Sequence, residues 1–129
     1  MRLSIAFSTN DGKNLLNEHA GMARYFDVYE FSDNEVKFVE RRKNKEVEED
    51  ETLIHGDPKK ARSVSTVLEG VDVIVNRRFG PNIVRILKNF TCVVVKSYTI
   101  ADAIEVIKQN IDKVIEEYKK EECKKPVVL

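Results

Sequence analysis

The apolar residues of this chain change their period once. Up to Arg42 they alternate or run in short blocks closed by turn residues, and from Pro58 they recur at every third or fourth position, interrupted by two further short apolar runs. Strands come first, then helices alternating with strands. Such a pattern confines the chain to a sheet that is antiparallel on one side and fed by helical crossovers on the other.

The segments follow from that change. Leu3–Ser8 is a buried strand closed by the turn Thr9–Gly12. Arg24–Phe31 and Glu35–Arg42, separated by Ser32–Asn34, form a hairpin. Residues 43–58 have five acids among the six positions Glu46–Glu51 and read as a long loop. Ala61, Val64, Val67 and Leu68 mark a helix from Pro58 to near Gly70, followed by a strand over Val71–Asn76. Pro81 opens a helix that turns Ile83, Ile86 and Leu87 inwards, and Thr91–Val95 is the fifth strand. Thr99–Asp102 resembles a capping box at the start of one long helix carrying Ile100, Ala103, Ile104, Ile107, Ile111, Val114, Ile115 and Tyr118. Lys119–Lys125 opens a frayed, solvated tail over 119–129. The expected fold class is α/β: a five-stranded mixed sheet in the order βββαβαβα, in a single domain over 1–129.

At 42% hydrophobic and 34% charged residues, the chain is too apolar for disorder and can bury a core. Its 22 Lys and Arg balance 22 Asp and Glu, which argues against nucleic acid as a partner. No apolar run reaches the roughly 20 residues of a membrane span, and the opening MRLSIAFSTNDG does not read as a signal peptide, so the expected compartment is the cytoplasm. Cys92, in an apolar run, and Cys123, in a charged tail, make neither a disulfide framework nor a CxxC pair.

Topology then gathers the loops. With the first strand central, antiparallel to the second and parallel to the fourth and fifth, the segments Asn10–Gly21, Lys43–Asp57, Arg77–Asn82 and Lys96–Thr99 share one sheet edge, where such sheets bind ligands. Cys92 falls at the other edge and is read as a small buried residue.

These loops carry recognisable motifs. Asn17-Glu-His-Ala-Gly-Met-Ala-Arg-Tyr-Phe26 resembles the EHFGRAxYF segment of the dinitrogenase iron–molybdenum cofactor biosynthesis family, of the NifX/NafY type. His55-Gly56 stands at the family's His-Gly position, Gly70-Val-Asp-Val-Ile-Val75 resembles its GVDVVI strand, and Phe79-Gly-Pro81 resembles its GGIGP turn. The resemblance runs to about residue 118. It departs at Ala20, where Phe is usual, and at Arg77-Arg78, where Gly-Gly is common. It implies a three-layer, ribonuclease-H-like domain that binds iron–sulfur or iron–molybdenum cofactor precursors transiently and passes them between donor and acceptor assembly proteins. The position matching the family's cluster-binding histidine is His19, with His55 as a second metal candidate. Gly21, Arg24, Arg77, Arg78 and Gly80 complete the implied cofactor-binding set. The expected state is a monomer or weak homodimer.

The chemistry of the residues is compatible with that role. A neutral imidazole ligates iron through one ring nitrogen, and few ligands suit a cargo that must leave again. Arg24, Arg77, Arg78 and Lys96 can neutralise an anionic cluster, and the amides near Gly80 offer a helix N-terminus. The plainer reading makes both histidines loop residues, and the arginines ordinary surface charge. Asn10, Asp11, Gly12, Asn17 and Glu18 are read as turn and cap residues, Met22 as apolar filler, and Tyr25, Phe26, Tyr29 and Phe31 as sheet packing.

Two rivals stand beside the carrier. A two-metal nuclease would need Asp11, Glu18 and Asp72 together, yet the first strand offers Ser4, Ala6 and Ser8 where a carboxylate is wanted. A metal-free module would hold a small anion or a protein partner at the same edge through Arg77, Arg78 and Gly80. No GxSxG, GxxxxGK[ST] or HExxH pattern occurs, and no enzymatic role is expected.

Overall fold

The computed structural model of the chain describes residues 1–33, 35–45 and 57–129. Its strands are β1 (Leu3–Thr9), β2 (Tyr25–Ser32), β3 (Glu35–Lys43), β4 (Val73–Asn76), β5 (Thr91–Val94) and β6 (Val127–Val128). Its helices are α1 (Pro58–Val67), α2 (Ile83–Ile86), α3 (Ile100–Gln109) and α4 (Ile111–Tyr118). They build one mixed sheet in the order β3-β2-β1-β4-β5-β6. As the pattern predicts, β1 is antiparallel to β2 and parallel to β4, and β4 runs parallel to β5.

The alternation of β1 divides the interior. Ala6 points to a core shared with Phe26, Val28, Val64, Leu68, Ile74, Ile86 and Cys92, beneath α1 and α2. Leu3, Ile5 and Phe7 point to a second core with Val73, Val75, Val93, Ile107 and Val114, beneath α3 and α4. Helices therefore cover both faces of the sheet. Asp57 caps α1 by accepting a hydrogen bond from Lys59 N at 2.9 Å, with Pro58 in the first turn, and Thr99 Oγ1 accepts from Asp102 N at 3.1 Å to start α3. No helix of the described residues is long and apolar enough to cross a membrane.

Four expectations are corrected. The sheet has a sixth strand, because Val127 and Val128 pair with Val93 and Val94, so the tail is not frayed throughout. The long final helix breaks at Asn110, whose side-chain amide donates to Val106 O at 2.8 Å and competes with the backbone ladder. α2 is a single turn rather than a full helix, and β4 starts at Val73, two residues late. Asp27, on β2, is buried in an ion pair: Arg41 Nε and Nη2 donate to its two carboxylate oxygens at 2.8 and 3.2 Å. A bulge in the β2–β3 pairing at Val28/Tyr29 shifts the register there.

Candidate functional site

The loop after β1 is held by its own side chains. Thr9 Oγ1 donates to Asn14 O at 2.6 Å and accepts from Gly12 N at 2.9 Å. The Asp11 carboxylate accepts from Asn14 N at 2.8 Å, Lys13 N at 2.9 Å and Asn14 Nδ2 at 2.8 Å. These bonds, Asn14 N foremost, hold its carboxyl well below the usual carboxylate range. Asp11 is thus occupied by the turn. Asp72 lies at the opposite end of β4 and accepts from Ser4 N at 2.8 Å, so the acids of the nuclease reading do not converge. Among the described residues no group of three His, Cys, Asp or Glu could hold a metal ion.

His19 is positioned by backbone stitching to the loop after β4. It forms an isolated parallel bridge with Arg78, Ala20 N donates to Arg78 O at 3.0 Å, and Met22 N donates to His19 O at 2.8 Å. Asn76, fully buried at the end of β4, donates through Nδ2 to Glu18 O at 3.0 Å and Arg78 O at 2.9 Å, tying both loops together. The imidazole lies against Gly80: a Cβ there would stand 2.5 Å from both Cγ and Nδ1 of His19. Gly80 has φ +76°, a conformation that glycine adopts without strain. Its role differs from the expected one. With α2 only one turn long and Gly80 O accepting from Ile83 N at 3.2 Å, the site offers no helix N-terminus, and Gly80 instead makes room for the imidazole. His19 itself is partly exposed.

The strap from His19 to Arg24 is fixed on its other side by Asn44, a buried residue that sequence reasoning missed. Its Nδ2 donates to Gly21 O at 2.9 Å and Ala23 O at 2.8 Å. Gly21 meets α1 closely, since a Cβ there would lie 3.2 Å from Val64 Cγ2, so its contribution is packing. A lone Asn near a strand end reads as a turn residue, and only the tertiary contacts reveal the clamps.

The cations separate into two groups. Arg77, Arg78 and Lys96 line a concavity of about 330 Å³ with Asn17 and Tyr98, and the Arg77 guanidinium lies 4.2 Å from the centre of the Tyr98 ring. Arg24 lines another, of about 400 Å³, with Met22, Lys43, Lys45 and Lys60. Met22 is 42% exposed and so is not core filler. His55 and Gly56 lie outside the described residues. Cys92 is buried, burial pushing its thiol up to about 12, while Cys123 is exposed. A third concavity, lined by Leu3, Phe31, Val36, Ile111 and Ile115, lies at the other end of the sheet, away from these groups.

The model of the family described as Nitro_FeMo-Co, dinitrogenase iron-molybdenum cofactor, matches residues 1–121. A crystal structure of a candidate dinitrogenase from Methanocaldococcus jannaschii aligns with a TM-score of 0.58 at 18% identity, covering 85% of this chain and 91% of that one. At that identity the likeness is one of fold. A comparison with curated proteins gives no match.

Proposed function

The chain belongs to the dinitrogenase iron–molybdenum cofactor family, and from that premise we propose that it is a non-catalytic carrier, holding an iron–sulfur or iron–molybdenum cofactor precursor transiently and passing it between donor and acceptor assembly proteins. The observation that carries this reading is the His19 imidazole, partly exposed and braced against Gly80 at the edge where the parallel strands end. A braced imidazole offers iron one ring nitrogen at little cost in side-chain entropy. Among the described residues no three-ligand cage surrounds it, which suits a cargo that must be released. Arg78, bridged to His19 through the backbone, Arg77, Lys96 and Arg24 add positive charge along the same edge for an anionic cluster. In this reading the protein works in the cytoplasm as a monomer or weak homodimer, and the cluster is its cargo, not a resident group.

The test is anaerobic titration of the purified apo-protein with an iron–sulfur cluster assembled from ferrous iron and sulfide, followed by absorbance and electron paramagnetic resonance. Stoichiometric uptake that weakens about tenfold or more in His19→Ala is expected, on the scale of losing one metal-site group. His55→Ala, run alongside, reports whether the second histidine contributes. A folded protein that takes up no cluster would sink the carrier and leave the metal-free module, for which the mark is salt-dependent anion binding that survives in His19→Ala.

A further inference from the structure

The chain has as many acids as bases, and none of the ion pairs among its described residues includes Arg77, Arg78 or Lys96. Arg2 pairs with Glu30, Arg41 with Asp27, Arg42 with Glu40, Lys108 with Glu105, and Lys120 with Glu117. The concavity at the ends of β4 and β5 differs. Arg77, Arg78 and Lys96 meet there, and no carboxylate of a described residue, side-chain or terminal, is within ion-pair distance of any of the three. None of the three is neutralised in an ion pair among the described residues, so an anion entering the concavity is attracted by all of them.

The concavity is also built. Arg77 follows the buried Asn76, whose carbonyl accepts from Val95 N at 3.2 Å, so the residues before Arg77 and Lys96 are fixed side by side on adjacent parallel strands. Tyr98 is fixed in turn, its carbonyl accepting from Leu15 N at 2.8 Å. Tyr98 is 69% exposed, too open for a core aromatic, and its ring lies against the Arg77 guanidinium. Arg77 Nε is buried with no hydrogen-bond partner among the described residues, so stacking on the tyrosine, not an acid, holds the guanidinium. A guanidinium held over an aromatic face keeps its charge and its terminal N–H donors for a planar acceptor. Val94, Val95 and Val128 supply an apolar floor and wall.

We infer that this concavity is a binding site for an oxyanion group, carboxylate or phosphate, carried on a partly apolar organic molecule, with Arg77 as the principal anchor, Arg78 and Lys96 adding charge, and Tyr98 as a positioning residue. The site is distinct from the His19–Gly80 contact and does not depend on iron. The oxyanion comes either from a free small molecule or from a group borne by the cargo at His19.

Titration calorimetry of the iron-free protein at low ionic strength, with citrate and with inorganic phosphate as probes, tests the site. Binding is expected to weaken with added salt, to fall tenfold or more in Arg77→Gln and several-fold in Tyr98→Leu, with Arg77→Lys intermediate because it keeps charge and loses the flat fork. Lys45→Gln, in the other basic concavity, is expected to bind as the unmodified chain does. Thermal midpoints of all variants control for folding, and a shift of the Arg77 Nε–H resonance on addition of citrate gives a second readout independent of stability. If neither probe binds, or Lys45→Gln loses as much as Arg77→Gln, the site is overturned in favour of diffuse surface charge. Repeating the titration on cluster-loaded protein separates the two sources: probe binding that is retained identifies a free ligand, and probe binding that is lost assigns the site to an oxyanion borne by the cargo. Because the titration is run without iron, its failure leaves the carrier reading untouched, and failure of cluster uptake leaves this site untouched.

Discussion

Gly80 leaves the space that the His19 imidazole fills, so replacing it disturbs the candidate ligand without removing it. In Gly80→Ala the new methyl would stand 2.5 Å from the ring, and the backbone holds φ +76°. A destabilisation of about 1–2 kcal/mol is expected from the left-handed conformation alone, together with a displaced imidazole and a loss of cluster uptake comparable to that of His19→Ala. Gly70→Ala separates the two effects, since Gly70 has φ +86° with nothing within 4 Å of the added carbon. It should lose similar stability in chemical denaturation and still take up cluster. Equal uptake by both variants would mean that the His19–Gly80 contact has no part in binding. At this scale the sequence was partly legible. His19 is picked out by its motif and the loop edge by topology, but the purpose of Gly80 depends on two loops docking. Asn76 and Asn44 are likewise ordinary polar residues until the carbonyls they hold are known.

Among the elements, β6 is where local pattern and structure part. Lys119–Lys125 is strongly charged, and the two valines that follow are too short a run to show an alternation, so the segment reads as solvated. In the fold, Val127 and Leu129 pack on the core under α3 and α4, and Leu129 N donates to Val94 O at 2.9 Å. The pairing covers the edge of β5, which would otherwise present unpaired backbone groups. A chain ending at Lys125 is therefore expected to lose about 1–3 kcal/mol, from the apolar area it uncovers, and to associate more readily at raised concentration. Denaturation midpoints and light scattering read both effects. An unchanged midpoint would restore the frayed tail. The break at Asn110 was hidden for the opposite reason: the apolar spacing continues through it, because Ile107 before the break and Val114 after it face the same core. Periodicity reports which face is buried and is blind to one side chain that competes with the ladder.

Across the whole molecule, β1 joins the two cores. Ala6 belongs to one and Leu3, Ile5 and Phe7 to the other, with β2 and β4 hydrogen-bonded on either side. Neither helical layer can separate from the sheet without uncovering a face of the same central strand, so the two layers should unfold as one unit. Leu68 follows α1 and Ile107 lies in α3, on opposite faces, and both are fully buried. Leu68→Ala and Ile107→Ala are each expected to cost about 2–5 kcal/mol through lost burial and the cavity left behind. Since they share no contacts across the sheet, their effects should add to within about 0.5 kcal/mol in the double variant. Tyr29 and Tyr118 pack against the core that contains Ile107, so tyrosine fluorescence watches that face, while far-UV circular dichroism watches all of the helices and strands. The two signals should give one coincident transition in every variant. If the fluorescence transition of Ile107→Ala came earlier than the dichroism transition, the layers would be separable. The loop edge, which draws on both faces of the sheet, would then lose its rigid frame before the rest of the fold.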